Sequence, residues 1–173
     1  MNQITIKLLS LEDGDKLFEF ECENRAYFEK IGFSRSESYY DRTLFQGILE
    51  DLVLEQQKDI HYMYLVLNEN NKVIGRVNLT EIIRGSLNKA ELGYRIGEHY
   101  QNQGYATLAT TLIIKEAAKV HHLHRLEAGT SPDNIGSQIV LQKSGFQYVG
   151  KYHQYIQIGD EWLDSLLYEK ILE

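Results

Sequence analysis

The feature that most constrains this chain is a change of period between residues 90 and 120. Ala90, Leu92, Tyr94 and Ile96 alternate with Glu91, Gly93 and Arg95, the pattern of a strand with two distinct faces, and Gly97 ends the run. A glycine-containing turn follows, Gln101-Asn102-Gln103-Gly104-Tyr105-Ala106. Ala109, Leu112, Ile113, Ala117 and Val120 then line one side of a helix. A loop that enters a helix leaves backbone N–H groups unpaired at the positive end of the helix dipole, where a phosphate is favoured. Gly104 lets the backbone come close to a ligand, and the small Ala106 lets the first turn pack against it. A tight strand-to-helix turn with no ligand accounts for the spacing equally well. No Gly-Lys-Ser/Thr follows, which excludes a Walker A loop, and the missing second and third glycines exclude a dinucleotide fingerprint.

The flanking sequence supplies the remaining elements. Ile4, Ile6 and Leu8 alternate as a first strand, and helical material is expected over residues 13 to 57. Within it, Leu44, Phe45, Ile48, Leu49, Leu52 and Val53 give Arg42 to Gln57 an amphipathic period. Tyr62 to Leu67 and Val73 to Leu79 flank the polar Asn68 to Lys72 as a hairpin. Arg125 to Gly129 reads as a short strand, and Asn134 to Ser144 as a helix closed by Gly145. Tyr148 to Ile158 and Trp162 to Ile171 form a terminal hairpin about Gly159-Asp160. The order β, α, α, β, β, β, α, β, α, β, β predicts an α/β (α+β) fold with a mixed sheet covered on both faces.

The 173 residues, 43% of them hydrophobic, suffice for one core, and no linker, repeat or low-complexity tract divides them, so residues 1–173 are expected to form a single domain. The net charge of −7 and the absence of any Lys/Arg-rich run argue against direct nucleic-acid binding. A basic or amine-bearing partner suits this charge, although acidity also serves solubility. Cys22 is the only cysteine, so no intrachain disulfide can form. No apolar run approaches the roughly 20 residues that cross a bilayer, and the N-terminus lacks a signal core, so no membrane association and a soluble cytoplasmic protein are expected.

Two blocks in register resemble a known family. Gln101-x-x-Gly104-x-Ala106 after an alternating strand is similar to the coenzyme A pyrophosphate motif of the GCN5-related N-acetyltransferases (GNAT). Asn134-x-x-Ser137 followed by Lys143-Ser144-Gly145-Phe146 resembles the later helix signature of that superfamily. The resemblance implies a GNAT-like, mostly antiparallel sheet of about seven strands flanked by about four helices, with acetyl-CoA as cosubstrate and no metal. Leu92 to Ile96, Gln103 to Thr107 and Trp162-Leu163-Asp164 look most like the branch that acetylates ribosomal-protein N-termini on serine or alanine. A protein or peptide N-terminal amine, on a basic protein, is then the expected acceptor of a monomer or homodimer. A polyamine or aminoglycoside is the alternative acceptor.

The resemblance also implies direct attack of the amine on the thioester in a ternary complex. Gln101, Asn102, Gln103, Gly104, Tyr105, Ala106 and Thr107 would hold the pyrophosphate, and backbone groups near Arg95 and Ile96 would pair with pantetheine. The Ile96 N–H is the candidate oxyanion donor. Asn134 would bond the pantetheine arm, or else simply cap its helix. Many family members place a tyrosine acid at the position matched here by Leu141, so Ser137 becomes the candidate donor to the leaving thiolate. Glu91 is the candidate general base, with Glu81 as the other choice. Some ribosomal-protein acetyltransferases carry a glutamate on the last hairpin where this chain has Ile156.

Three further features have plainer readings. His121, His122 and His124 lack a carboxylate or cysteine at ligand spacing and suit a helix C-terminus. Cys22 has no histidine at a spacing that would make it a nucleophile. Tyr27 to Phe33 with Tyr39-Tyr40 could wall an acceptor groove, or pack as ordinary core and rim. A non-catalytic acyl-CoA-binding module, or a loop serving another nucleotide, completes the readings open at this level.

Overall fold

The computed structural model describes residues 3–173 and shows one seven-stranded sheet with five α-helices. In chain order they are β1 (Ile4–Leu8), α1 (Gly14–Glu23), α2 (Arg25–Lys30), α3 (Arg42–Gln57), β2 (Tyr62–Asn68), β3 (Val73–Ile83) and β4 (Lys89–Ile96). Then come α4 (Tyr105–Lys119), β5 (Arg125–Thr130), α5 (Ile135–Lys143), β6 (Gln147–Ile158) and β7 (Glu161–Ile171). The helical material expected from 13 to 57 is not continuous. Gly32, at φ +87°, closes α2 while Phe33 N–H donates to Phe28 O at 2.8 Å, a left-handed helix stop. Asp41 restarts the chain as α3, its carboxylate accepting from the N–H groups of Thr43 and Leu44 at 2.9 and 3.0 Å.

The strand order is β1-β2-β3-β4-β5-β7-β6, antiparallel throughout except for the parallel pair β4 and β5. That pair is short. Lys89, Ala90 and Glu91 face Arg125, Leu126 and Glu127, after which β5 continues beside β7 and the end of β4, Leu92 to Ile96, keeps only β3. The two strands therefore part in the middle of the sheet.

The apolar alternation predicted from the sequence divides between two cores. Ala90 and Leu92 pack with Ala109, Ile113 and Ala117 of α4, Leu126 and Ala128 of β5 and Leu141 of α5 on one face. Leu17, Phe20, Phe28, Phe45 and Leu49 cover Met63, Leu65 and Leu67 on the other. Full burial of such a side chain contributes about 2 kcal/mol. Gly75 lets β3 lie close on the end of β4, because a β-carbon there would stand 2.6 Å from Arg95 O.

Candidate active site

The mouth of α4 is built from backbone. Asn102 and Gly104 both take left-handed conformations, φ 59° and 84°, so the loop folds back just before the helix. Gly104 occupies the N-cap without any side-chain cap, and the first helical bond runs from Leu108 N–H to Gly104 O at 3.1 Å. The N–H groups of Tyr105, Ala106 and Thr107 thus lack helical partners and lie at the positive end of a 15-residue helix. A β-carbon on Gly104 would meet nothing within 4 Å, so the mouth is open, and Asn102, Gln103 and Gly104 are exposed. This cradle fits a pyrophosphate.

The parted end of β4 leads into that mouth. Gly97 N–H donates to Ile74 O of β3 at 2.9 Å. By the alternation of an antiparallel pair, the N–H and C=O of Ile96 and Tyr94 point the other way, into the gap that β5 has left. The Ile96 carbonyl is taken there by Gln101 Nε2 at 2.6 Å. The Gln101 side chain thus braces the start of the loop. Gln103 Nε2 similarly donates to His99 O at 2.8 Å.

On the far side of the gap stands α5. Asn134 Oδ1 accepts from Ser137 N–H at 3.0 Å, capping the helix and fixing its first turn. Ser137 Oγ lies 3.0 Å from the Tyr94 hydroxyl, so β4 and α5 meet through two hydroxyls across the opening. Leu141 is 1% exposed and belongs to the core. An anion cradle, a splayed strand with inward-facing amides and a hydroxyl pair thus converge at one place.

A family model for an acetyltransferase (GNAT) domain matches residues 3–147. The chain belongs to the GNAT acetyltransferases. The probable N-acetyltransferase YjcK of Bacillus subtilis (strain 168) is 31% identical over 162 residues, 93% of this chain and 90% of that protein. The [ribosomal protein uS5]-alanine N-acetyltransferase of Escherichia coli (strain K12) is 27% identical over 169 residues, 96% and 86% of the two chains. The fold matches the crystal structure of ribosomal-protein-S5-alanine acetyltransferase from Vibrio fischeri with a TM-score of 0.90 at 24% identity, covering 100% of this chain and 97% of that one. The resemblance to the ribosomal-protein branch seen in the sequence is therefore shared by relatives along nearly the whole chain, and acetyl-CoA is the cosubstrate of this GNAT enzyme. Among the described residues no group of three or more His, Cys, Asp or Glu could hold a metal. No helix among them is long and apolar enough to cross a membrane.

Other candidate residues of this GNAT chain lie on the sheet face that carries α1 to α3. Glu91 is half-buried on β4, its carboxylate 3.8 Å from where a β-carbon on Gly129 would stand. Burial, then the charges of Glu81 and Glu127, push its pKa above the usual carboxylate value. Glu81 sits at a bulge of β3 with φ 48°. Glu127 is compensated by Lys89 at 2.6 Å and Arg125 at 2.8 Å. Arg95 turns its guanidinium away from the α4 mouth, 4.8 Å from the Phe28 ring and 5.2 Å from that of Phe33. Beneath it, Glu21 is fully buried, 2.7 Å from Arg76 Nε and 3.7 Å from Arg95. Burial, then the neighbouring charge of Arg76, lowers the Arg95 pKa to about 10.

Two residues of the site were not singled out in the sequence. Tyr94 read as one apolar position of an alternating strand, and nothing local marked its hydroxyl. Asn24, between α1 and α2, accepts from Glu98 N–H at 2.9 Å and donates to Phe20 O at 2.9 Å, tying the early helices to the chain that leaves β4. Its partner lies 74 residues away, beyond the reach of any local pattern. Of the histidines, His121 is buried, bonded to the Tyr64 hydroxyl at 2.8 Å and stacked on Tyr62 at 3.8 Å.

Proposed function

We propose that the enzyme acetylates the N-terminal amine of a protein or peptide by direct attack on acetyl-CoA in a ternary complex. The observation that carries this reading is the opening of β4 from β5 into the uncapped mouth of α4, with Ser137 facing it. In this reading the loop from Gln101 to Thr107 holds the pyrophosphate. Gln101 does so indirectly, by bracing the chain at Ile96, while the backbone groups of Arg95, paired across to Arg76, face β3 and not the gap. The Ile96 N–H points into the gap and stabilises the oxyanion. The Asn134 amide, whose oxygen caps α5, offers its N–H₂ to the pantetheine arm. Ser137 donates to the leaving thiolate, because position 141 carries no hydroxyl. Glu91, with its raised pKa, takes the proton from the amine directly or through water.

The acceptor class follows from the relatives that modify alanine on a ribosomal protein. A small-molecule amine is the second reading, favoured by Ile156 at the position where some ribosomal-protein acetyltransferases carry a glutamate. The test is free-thiol release from acetyl-CoA with peptides beginning in Ser or Ala, polyamines and aminoglycosides, with product masses locating the acetyl group. Selective modification of the peptide α-amine is the expected result. Turnover with polyamines or aminoglycosides alone would transfer the assignment to the second reading. Coenzyme A binding without turnover on any amine would favour a binding module.

A further inference from the structure

Ser137 has one hydroxyl proton to give, and the structure shows what takes the other side of its oxygen. The Tyr94 hydroxyl is 3.0 Å from Ser137 Oγ, and the serine itself is fixed through its N–H on Asn134. A phenol is a far stronger acid than an aliphatic alcohol, so of the two directions open to this hydrogen bond Tyr94 is the better donor. Burial keeps the phenol protonated by pushing its pKa up. Its ring packs against the core shared with α4 and α5, which holds the hydroxyl oxygen in place beside Ser137. When Tyr94 donates, the Ser137 oxygen is polarised and its own proton is left for another acceptor.

We propose that Tyr94 is a positioning residue for acetyl transfer, whose phenol donates to Ser137 Oγ and thereby directs the serine proton to the departing coenzyme A sulfur. This rests on the acetyl-transfer reading above. As the amine nitrogen bonds to the acetyl carbon, the carbon–sulfur bond breaks and sulfur leaves with the electron pair, receiving the Ser137 hydrogen bond. The proton shed by the nitrogen finally resides on sulfur as the free thiol, and both hydroxyls end as they began. Tyr94 touches neither acceptor nor thioester in this scheme. It acts through Ser137 alone, and its replacement should have no consequence once the serine is gone.

The test is a titration of the thiol of bound coenzyme A, followed by thiolate absorbance, in the wild type, Tyr94→Phe, Ser137→Ala and the double variant. Each single variant is expected to raise the bound thiol pKa by about half to one unit, and the double variant by no more than Ser137→Ala alone. Coenzyme A affinity measured by calorimetry stays within about twofold throughout. In parallel, kcat of Tyr94→Phe falls about three- to tenfold with the KM for acetyl-CoA unchanged. A wild-type thiol pKa in Tyr94→Phe overturns the proposal, as does a shift that adds fully to that of Ser137→Ala. Ser137 is half-buried on a short helix, so its variant keeps the test alive if Tyr94→Phe is poorly folded: an unchanged thiol pKa in Ser137→Ala also overturns the proposal. The titration needs no acceptor. Shifted thiol values with no amine acetylated would refute the acceptor reading alone, and turnover with an insensitive thiol would refute this inference alone.

Discussion

Gly104 combines a positive φ with open space in front of its α-carbon, the two conditions that make a backbone cradle. Gly104→Trp places an indole in the α4 mouth and strains the turn. Acetyl-CoA affinity in calorimetry should fall more than about a hundredfold, and a dissociation constant within about threefold of wild type would remove the loop from the cofactor site. Glu91 makes the second prediction at this scale. Its carboxylate form is the one that accepts a proton, and its pKa lies above the ordinary value, so kcat/KM should rise with pH through that raised value. Glu91→Gln should lower kcat about ten- to a hundredfold and abolish that acid limb. An intact limb in the variant would move the base elsewhere, with Glu81 the next residue to replace.

At the scale of elements, helix α1 is held to β3 and β4 by one buried anion facing two buried cations. Glu21 is 0% exposed and Arg76 2%, and the Arg76 N–H of the 2.7 Å contact is not aligned as a hydrogen bond, so the attraction is mainly one of charge. Glu21→Gln would leave both guanidiniums without that counter-charge, Arg76 in the interior and Arg95 against the rings of Phe28 and Phe33. Breaking a buried pair in this way costs about 3–5 kcal/mol, which denaturant unfolding should report as a clear fall in midpoint at constant slope. A loss below about 1 kcal/mol would mean that water or rearrangement compensates the pair.

At the scale of the whole molecule, buried histidines set the acid side of stability. His61 and His121 have pKa values lowered from 6.5, chiefly by burial, so both are neutral in the fold. The unfolded chain takes up protons at these positions first as pH falls below about 6.5, and the folded state loses stability from there through the depressed folded values. The melting temperature should therefore drop between about pH 7.5 and about pH 5.5, and the drop should shrink in His121→Gln. An equal drop in that variant would assign the dependence to other groups. His121 lies in the loop after α4 and packs on Tyr62 and Tyr64 of β2. Its carbonyl accepts from Arg84, which also chelates Asp59, so the loops after α3, β3 and α4 are joined in one network.

Although it gave two helices between β1 and β2 where the structure has three, the sequence by itself determined the order of the strands, the limits of α3, the glycine loop before α4 and the two family motifs. These rest on period, capping and turn chemistry that act between near neighbours. It also placed Asn134 and Ser137 on one helical turn. The break after Gly32 was missed because the run from Leu17 to Phe28 kept a helical spacing and the left-handed stop needed only one residue. Tertiary structure alone decided where β4 and β5 part, since a strand pattern says which face is apolar but not how far a partner follows. It alone brought the Tyr94 hydroxyl to Ser137, 43 residues later, and the Asn24 amide to Glu98. Those contacts depend on the relative placement of helices and strands, which is fixed by packing of both cores and leaves no periodic trace in the chain.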